Sequence, residues 1–159
     1  MKKIILLFLG SLVCGSFLIG QNLLTNPGFE DWTTNGAPGP PDGWSLSSGS
    51  MTASQESSTI HGGTYAVNLT WTTTSTVQME QYVPVTAGGS YEFSFWAFDN
   101  FPEGRARVAM RWYDATNSFI SGYYGDYTTD SPDWQQLVSG TQTAPAGAVE
   151  VHVEVRVYD

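Results

Sequence analysis

Between Val149 and Tyr158 the chain alternates without a break: Val149, Val151, Val153, Val155 and Val157 take one parity, and Glu150, His152, Glu154, Arg156 and Tyr158 the other. An extended strand sorts such a sequence by face, because its side chains point to opposite sides at a period of two. The valine side packs and the polar side meets water. A sandwich that ends on so regular a strand either carries it at an edge or has lost the piece that should follow.

The rest of the sequence obeys the same period. No segment shows a helical apolar stripe, and turn formers recur at the short spacing of an all-β sandwich or barrel. The strands are expected at Trp44–Ser47, Met51–Glu56, Tyr65–Thr72, Thr76–Val85, Ser90–Asp99, Arg105–Asp114, Phe119–Tyr127, Trp134–Thr143 and Val149–Tyr158, with a short one around Leu23 to Glu30. Ala87-Gly88-Gly89, Pro102-Glu103-Gly104, Thr116-Asn117-Ser118, Ser131-Pro132-Asp133 and Pro145-Ala146-Gly147 make the breaks. The Gly/Pro-rich run from Asn35 to Gly43 is a loop too short to link domains.

Lys2-Lys3 followed by an apolar stretch from Ile4 to Ile19, broken by Gly10, Ser11, Gly15 and Ser16, reads as a secretory signal peptide over residues 1–20. It falls short of the roughly 20 apolar residues of a spanning helix, so no membrane insertion is expected after cleavage. Cys14, the only cysteine, lies inside it, where lipidation is disfavoured by Val13 before it; the exported domain, 21–159, then has no disulfide. About 139 residues remain, one domain of ordinary size. In it four arginines stand against fifteen carboxylates, an excess of eleven negative charges. Nucleic acid and anionic lipid surfaces would repel such a chain.

The segment Gln81 to Asp99 is a hairpin turning at Gly88-Gly89, and its second strand carries aromatic residues on both faces. Tyr91, Phe93, Phe95 and Ala97 share one face; Glu92, Ser94, Trp96 and Phe98 share the other. A solvent face with a Trp and a Phe is either covered or binds something flat and partly apolar.

Four pieces, taken in order, resemble the carbohydrate-binding modules of families 4, 9 and 22: Asn22 to Glu30, His61 to Val67, Gln81 to Ala97, and Trp134 to Pro145 leading into the valine strand. The resemblance implies a two-sheet jelly roll of the galactose-binding-domain-like type. It also implies a secreted or cell-surface, non-catalytic, monomeric module for polysaccharide or oligosaccharide, the N-terminal part of a larger protein. The family's closing strand, which carries aspartates, is not among these residues, so the final strand is expected to be missing. By the same resemblance Glu30 matches a ligand of a structural calcium ion, whose distal carboxylate is absent unless Asp159 substitutes. A sandwich that serves only as a structural or adhesion spacer is the alternative.

Sugars pack their C–H faces on aromatic planes while polar neighbours take the hydroxyls. Trp96 and Phe98 are candidates for that surface, unless loops or a further strand cover them. On the next strand Arg111 and Tyr113 share a face and could join Trp96 in one floor; a salt bridge from Arg111 to Glu92 or Glu154 is the competing account. Trp71 has core parity but ends its strand, where a cleft could form. Of Tyr123 and Tyr124 one faces out, and Tyr123 is a further candidate. His61 and His152 read as ordinary surface residues with no zinc spacing around them. No nucleophilic triad is supported, and carboxylate pairs among fifteen acids arise by proximity alone.

Overall fold

The computed structural model describes residues 20–33 and 39–158. The leader with Cys14, the first part of the Pro/Gly loop and Asp159 lie outside the described residues. The described chain is all-β: β1 (Ser45–Leu46), β2 (Met51–Glu56), β3 (Ala66–Trp71), β4 (Val77–Pro84), β5 (Ser90–Tyr91), β6 (Ser94–Phe98), β7 (Arg105–Tyr113), β8 (Phe119–Tyr124), β9 (Trp134–Val138), β10 (Gln142–Thr143) and β11 (Glu150–Tyr158).

Five of these form one antiparallel sheet in the order β1-β4-β11-β7-β8. The valine strand β11 is therefore central, not at an edge. Its register explains why: Val151, Val153, Val155 and Val157 stand opposite Val83, Gln81, Met79 and Val77 of β4, and opposite Trp112, Met110, Val108 and Ala106 of β7. Three strands thus present one nearly continuous apolar face. Each valine buried there contributes about 1.5 kcal/mol or more.

The second layer consists of the β2–β3 hairpin and a longer ladder in which β5 and β6 run against β10 and β9. Met51, Phe93 and Leu137 from this layer join Met79, Met110, Trp112 and the valines in one core, which Val67, Leu69 and Phe95 flank. Two expected single strands are each broken in two. The pairing register shifts by one residue between Ser94↔Val138 and Tyr91↔Gln142, the mark of a bulge. Ser139 fills the break, since its Oγ accepts from the Phe93 N–H (2.9 Å) and its own N–H donates to the Phe93 carbonyl (2.9 Å). Gly140 follows at φ +61°, which glycine adopts without strain.

The strand expected around Leu23 to Glu30 does not form. Asn26 and Phe29 lie at φ +48° and +59°, on either side of Pro27-Gly28, and that backbone cannot stay extended. Gln81 holds the segment instead: its buried amide accepts from the Thr25 N–H (2.7 Å) and donates to the Thr25 and Gly43 carbonyls (2.9 and 3.0 Å).

Between β3 and β6 no ladder forms, and a cleft of about 640 Å³ opens there toward the core. Leu69, Trp71, Phe95 and Val157 are among its walls. From above, the β2–β3 turn reaches across and lays His61 flat on Trp96, ring centroids 4.2 Å apart and 16° from parallel.

Candidate functional site: the outer face of the five-stranded sheet

The cleft is walled by apolar and aromatic side chains, with Trp96, Phe98 and Trp134 at it as well as Trp71 and Phe95, and Glu56, Asp99 and Arg105 are its charged groups. The chemistry lies elsewhere. Opposite the valines, the polar parity of β11 meets the polar parity of its neighbours: His152 stands across from Tyr82 on β4 and Arg111 on β7, and Glu154 across from Glu80 and Ala109. This face was expected simply to meet water. Instead His152 is 7% exposed and Glu154 0%, because tall aromatic side chains on the adjoining strands wall them in.

Three rings stand in a row across the strands. The His152 imidazole lies between the Tyr82 and Tyr113 phenols, with centroids 3.8 and 3.9 Å away and planes within 22° of parallel. The expectation of an ordinary surface histidine is thereby corrected. Glu150 Oε1 holds His152 Nε2 at 2.9 Å. The Tyr82 hydroxyl donates to Glu80 Oε1 (3.1 Å), while half of its ring remains open to solvent. Burial pushes the Tyr82 and Tyr113 phenols up from their ordinary value; Glu80 adds to this at Tyr82, whereas at Tyr113 Arg111 opposes it. Both remain hydroxyl donors at neutral pH.

Below the rings Glu154 accepts from Arg156 Nε and, at 3.5 Å, from Arg111. The competing account of Arg111 is thus realised, with Glu154 as its partner. Arg111 also lies over the Tyr113 and Phe119 rings, 5.3 and 5.0 Å from their centroids. One ligand atom each from Glu80, His152 and Glu154 lies within 4.8 Å of the others. Of these, Glu154 is already paired with the Arg111 and Arg156 guanidiniums, and Glu80 accepts from Tyr82.

The remaining candidates are distributed elsewhere. Trp96 and Phe98 stand on the outer face of the second layer, across the core from Arg111 and Tyr113, so no common floor exists. Trp96 is 44% exposed with His61 over it, and Phe98 meets Trp134 at 5.5 Å. Trp71 points inward opposite Met51 and lines the cleft; its ring comes so close to Gly104 that a Cβ there would lie 2.6 Å away. Tyr123 pairs with Met110 and packs on the core, whereas Tyr124 faces out, 41% exposed. Sequence reasoning missed Tyr82, Glu80, His152 and Tyr124. Their shared outward parity was visible, but their adjacency depends on strand order.

Glu30 was matched to a calcium ligand. Its carboxylate accepts the Thr64 N–H (3.0 and 3.1 Å) and the Tyr65 N–H (3.3 Å), and the Thr64 bond foremost holds its carboxyl below the usual glutamate range. Gly63, at φ +77°, leaves the space for it. Converging N–H donors answer the carboxylate itself and offer nothing to a cation, so these residues do not fit calcium.

Residues 21–158 match the model of a carbohydrate binding domain family. No curated protein matches the chain. Among solved structures, the enzymatically active domain of tailspike protein 4 from bacteriophage CBA120 superposes with a TM-score of 0.62 at 15% identity, over 86% of this chain but only 19% of that one. The C-terminal family 22 carbohydrate binding module of Clostridium thermocellum Xyn10B gives 0.57 at 16% identity, over 83% and 82% of the two chains. The CBM22-1 xylan-binding domain of Paenibacillus barcinonensis Xyn10C gives 0.53 at 13%, over 79% and 92%. These likenesses share the jelly-roll sandwich, and by the family match, which runs through almost all of its described residues, the chain belongs to the carbohydrate binding domain family.

Proposed function

We propose that this chain is a secreted, non-catalytic glycan-binding module, monomeric and the N-terminal part of a larger protein, and that it binds through the outer face of the five-stranded sheet. One observation carries the reading: Tyr82, His152 and Tyr113 form a stacked row flanked by arginine and glutamate side chains. Within the row His152 and Tyr113 are buried and Tyr82 is exposed, so the Tyr82 ring offers C–H packing beside side chains that hydrogen-bond, the two things a sugar chain needs. A shallow depression of about 380 Å³, lined by Leu23, Ser45, Glu80, Tyr82 and Pro84 among others, continues the face toward β1. No group here is set up for catalysis: Glu154 has no solvent access and is held by two arginines.

The open edges of β3 and β6 support a further element of this reading, a closing strand seated in the cleft that would join the β2–β3 hairpin and the β6–β9 ladder into one sheet.

Affinity electrophoresis and calorimetry against β-glucans, xylans and mannans test the function. Retention of the folded protein by at least one of them is the expected result. A folded protein retained by no glycan is instead a spacer.

A further inference from the structure

The mature chain is strongly acidic, yet every arginine among its described residues lies on one face. Arg105, Arg107 and Arg111 share the outer parity of β7, and Arg156 that of β11 directly opposite Arg107. Like charges directly opposed across a ladder are destabilising unless something answers them. Glu154 answers two, Arg111 and Arg156. Among the described residues Arg105 and Arg107 have no ion pair; they lie over rings, Arg107 at 5.1 Å from Tyr124 and 4.6 Å from Tyr127, and Arg105 at 5.1 Å from Tyr127 and 5.3 Å from Tyr158. Arg107 Nε and Arg111 Nε are buried without a hydrogen-bond partner. The face therefore has two halves. Toward β4 it carries Glu80 and Glu150; toward β8 it carries guanidiniums interleaved with Tyr124, Tyr127 and Tyr158.

We propose that this β7–β8 half takes the anionic group of an acidic glycan, a carboxylate or a sulfate, while the adjoining ring row packs the sugar. The inference rests on the glycan-binding reading and names its substrate class. Planar guanidinium forks match the two-oxygen geometry of such anions, and the surrounding rings hold the forks in place. A neutral glycan would leave the cationic half unanswered. At about 0.15 M salt, charges more than about 8 Å apart are largely screened, so the acidic remainder of the protein does not prevent a local contact.

Calorimetry at that ionic strength would use matched pairs: polygalacturonate, alginate and glucuronoxylan with their carboxyl-reduced forms, and a sulfated carrageenan with its desulfated form. At least one charged member is expected to bind about tenfold to a hundredfold more tightly than its neutral partner, the value of one or two charge-assisted hydrogen bonds. The member that does so identifies the anion. Arg107→Gln should abolish that preference and leave the neutral form's affinity unchanged; Arg105→Gln, at a more exposed position, repeats the test if Arg107→Gln lowers the melting temperature. Neutral forms bound as tightly as charged ones, or a preference that survives both substitutions, would overturn the proposal and leave the glycan-binding reading standing. If no member of any pair binds and neutral β-glucans, xylans and mannans also fail, the glycan-binding reading is what fails.

Discussion

Replacing Tyr82 with alanine separates binding from folding. The side chain is 52% exposed, makes one hydrogen bond, to Glu80, and stacks one face on His152. Truncating a fully buried large aromatic costs about 3–5 kcal/mol. With half the ring in water, and with one stack and one surface hydrogen bond lost, roughly 1–2 kcal/mol is expected here. For a domain of this size that lowers the melting temperature by roughly 3–10 °C. The same ring, if it packs on a sugar, is an aromatic anchor whose loss costs about 2 kcal/mol of binding, roughly thirtyfold in Kd. Trp96→Ala is the matched control: its ring is 44% exposed and stacked on His61, so stability should fall by a similar amount while affinity holds. Thermal melts and calorimetry with whichever glycan retains the protein read both quantities. Affinity lost in Trp96→Ala and kept in Tyr82→Ala would refute the placement of the site.

Four further outcomes follow from the geometry. Glu154→Gln removes the fully buried carboxylate shared by Arg111 and Arg156; because both arginine side chains keep some solvent access, about 2–3 kcal/mol should be lost in urea titration, less than for a wholly buried pair. Gly63→Ala would place a Cβ 2.0 Å from Glu30 Oε1 at φ +77°, so roughly 1–3 kcal/mol is lost and the exchange protection of the Thr64 amide drops. Glu30, Asp42, Glu56 and Asp114 are each held below their ordinary values by hydrogen-bond donors, Thr64, Thr33, Ser58 and Thr116 foremost. A depressed folded pKa adds stability above the unfolded value and loses it as pH falls through the folded one, so the melting temperature should drop from about pH 5 toward pH 3 and stay level from pH 5 to 7 as far as these groups govern it. With N–H donors aimed at Glu30, melting should be the same in calcium and in chelator; a rise with calcium would show a cage that these contacts do not form.

Most strands could be read from the sequence because a strand's face assignment is local. Met51–Glu56 agrees to the residue, and Val151, Val153, Val155 and Val157 pack on the predicted side, whereas Val149 precedes the strand and is 45% exposed. The breaks beside Phe93 and Ser139 were not legible, since a bulge depends on the register of a partner strand 46 residues away. The N-terminal segment was missed for a related reason: Gln81, on the inward face of β4, binds Thr25 and Gly43 through side-chain bonds that no periodicity reports. The site shows the same limit. Arg111 and Tyr113 were identified from their own strand, but His152 looked like a solvent residue until β4 and β7 were known to flank it. Trp96 and Phe98 drew attention as aromatics on a polar face, and the alternation was right; only strand order could show that this face belongs to the other layer.

The account depends on which sheet meets the sugar. Titration of the isotope-labelled protein with oligomers of the best-retained glycan, followed by amide and indole NMR shifts, reads this directly. The expected result is saturable perturbation of the amides along Glu80–Tyr82, Arg111–Tyr113 and His152–Arg156, with the indole N–H signals of Trp96 and Trp134 unmoved. Perturbation centred on Trp96, Phe98 and Trp134 with the five-stranded sheet silent would contradict it.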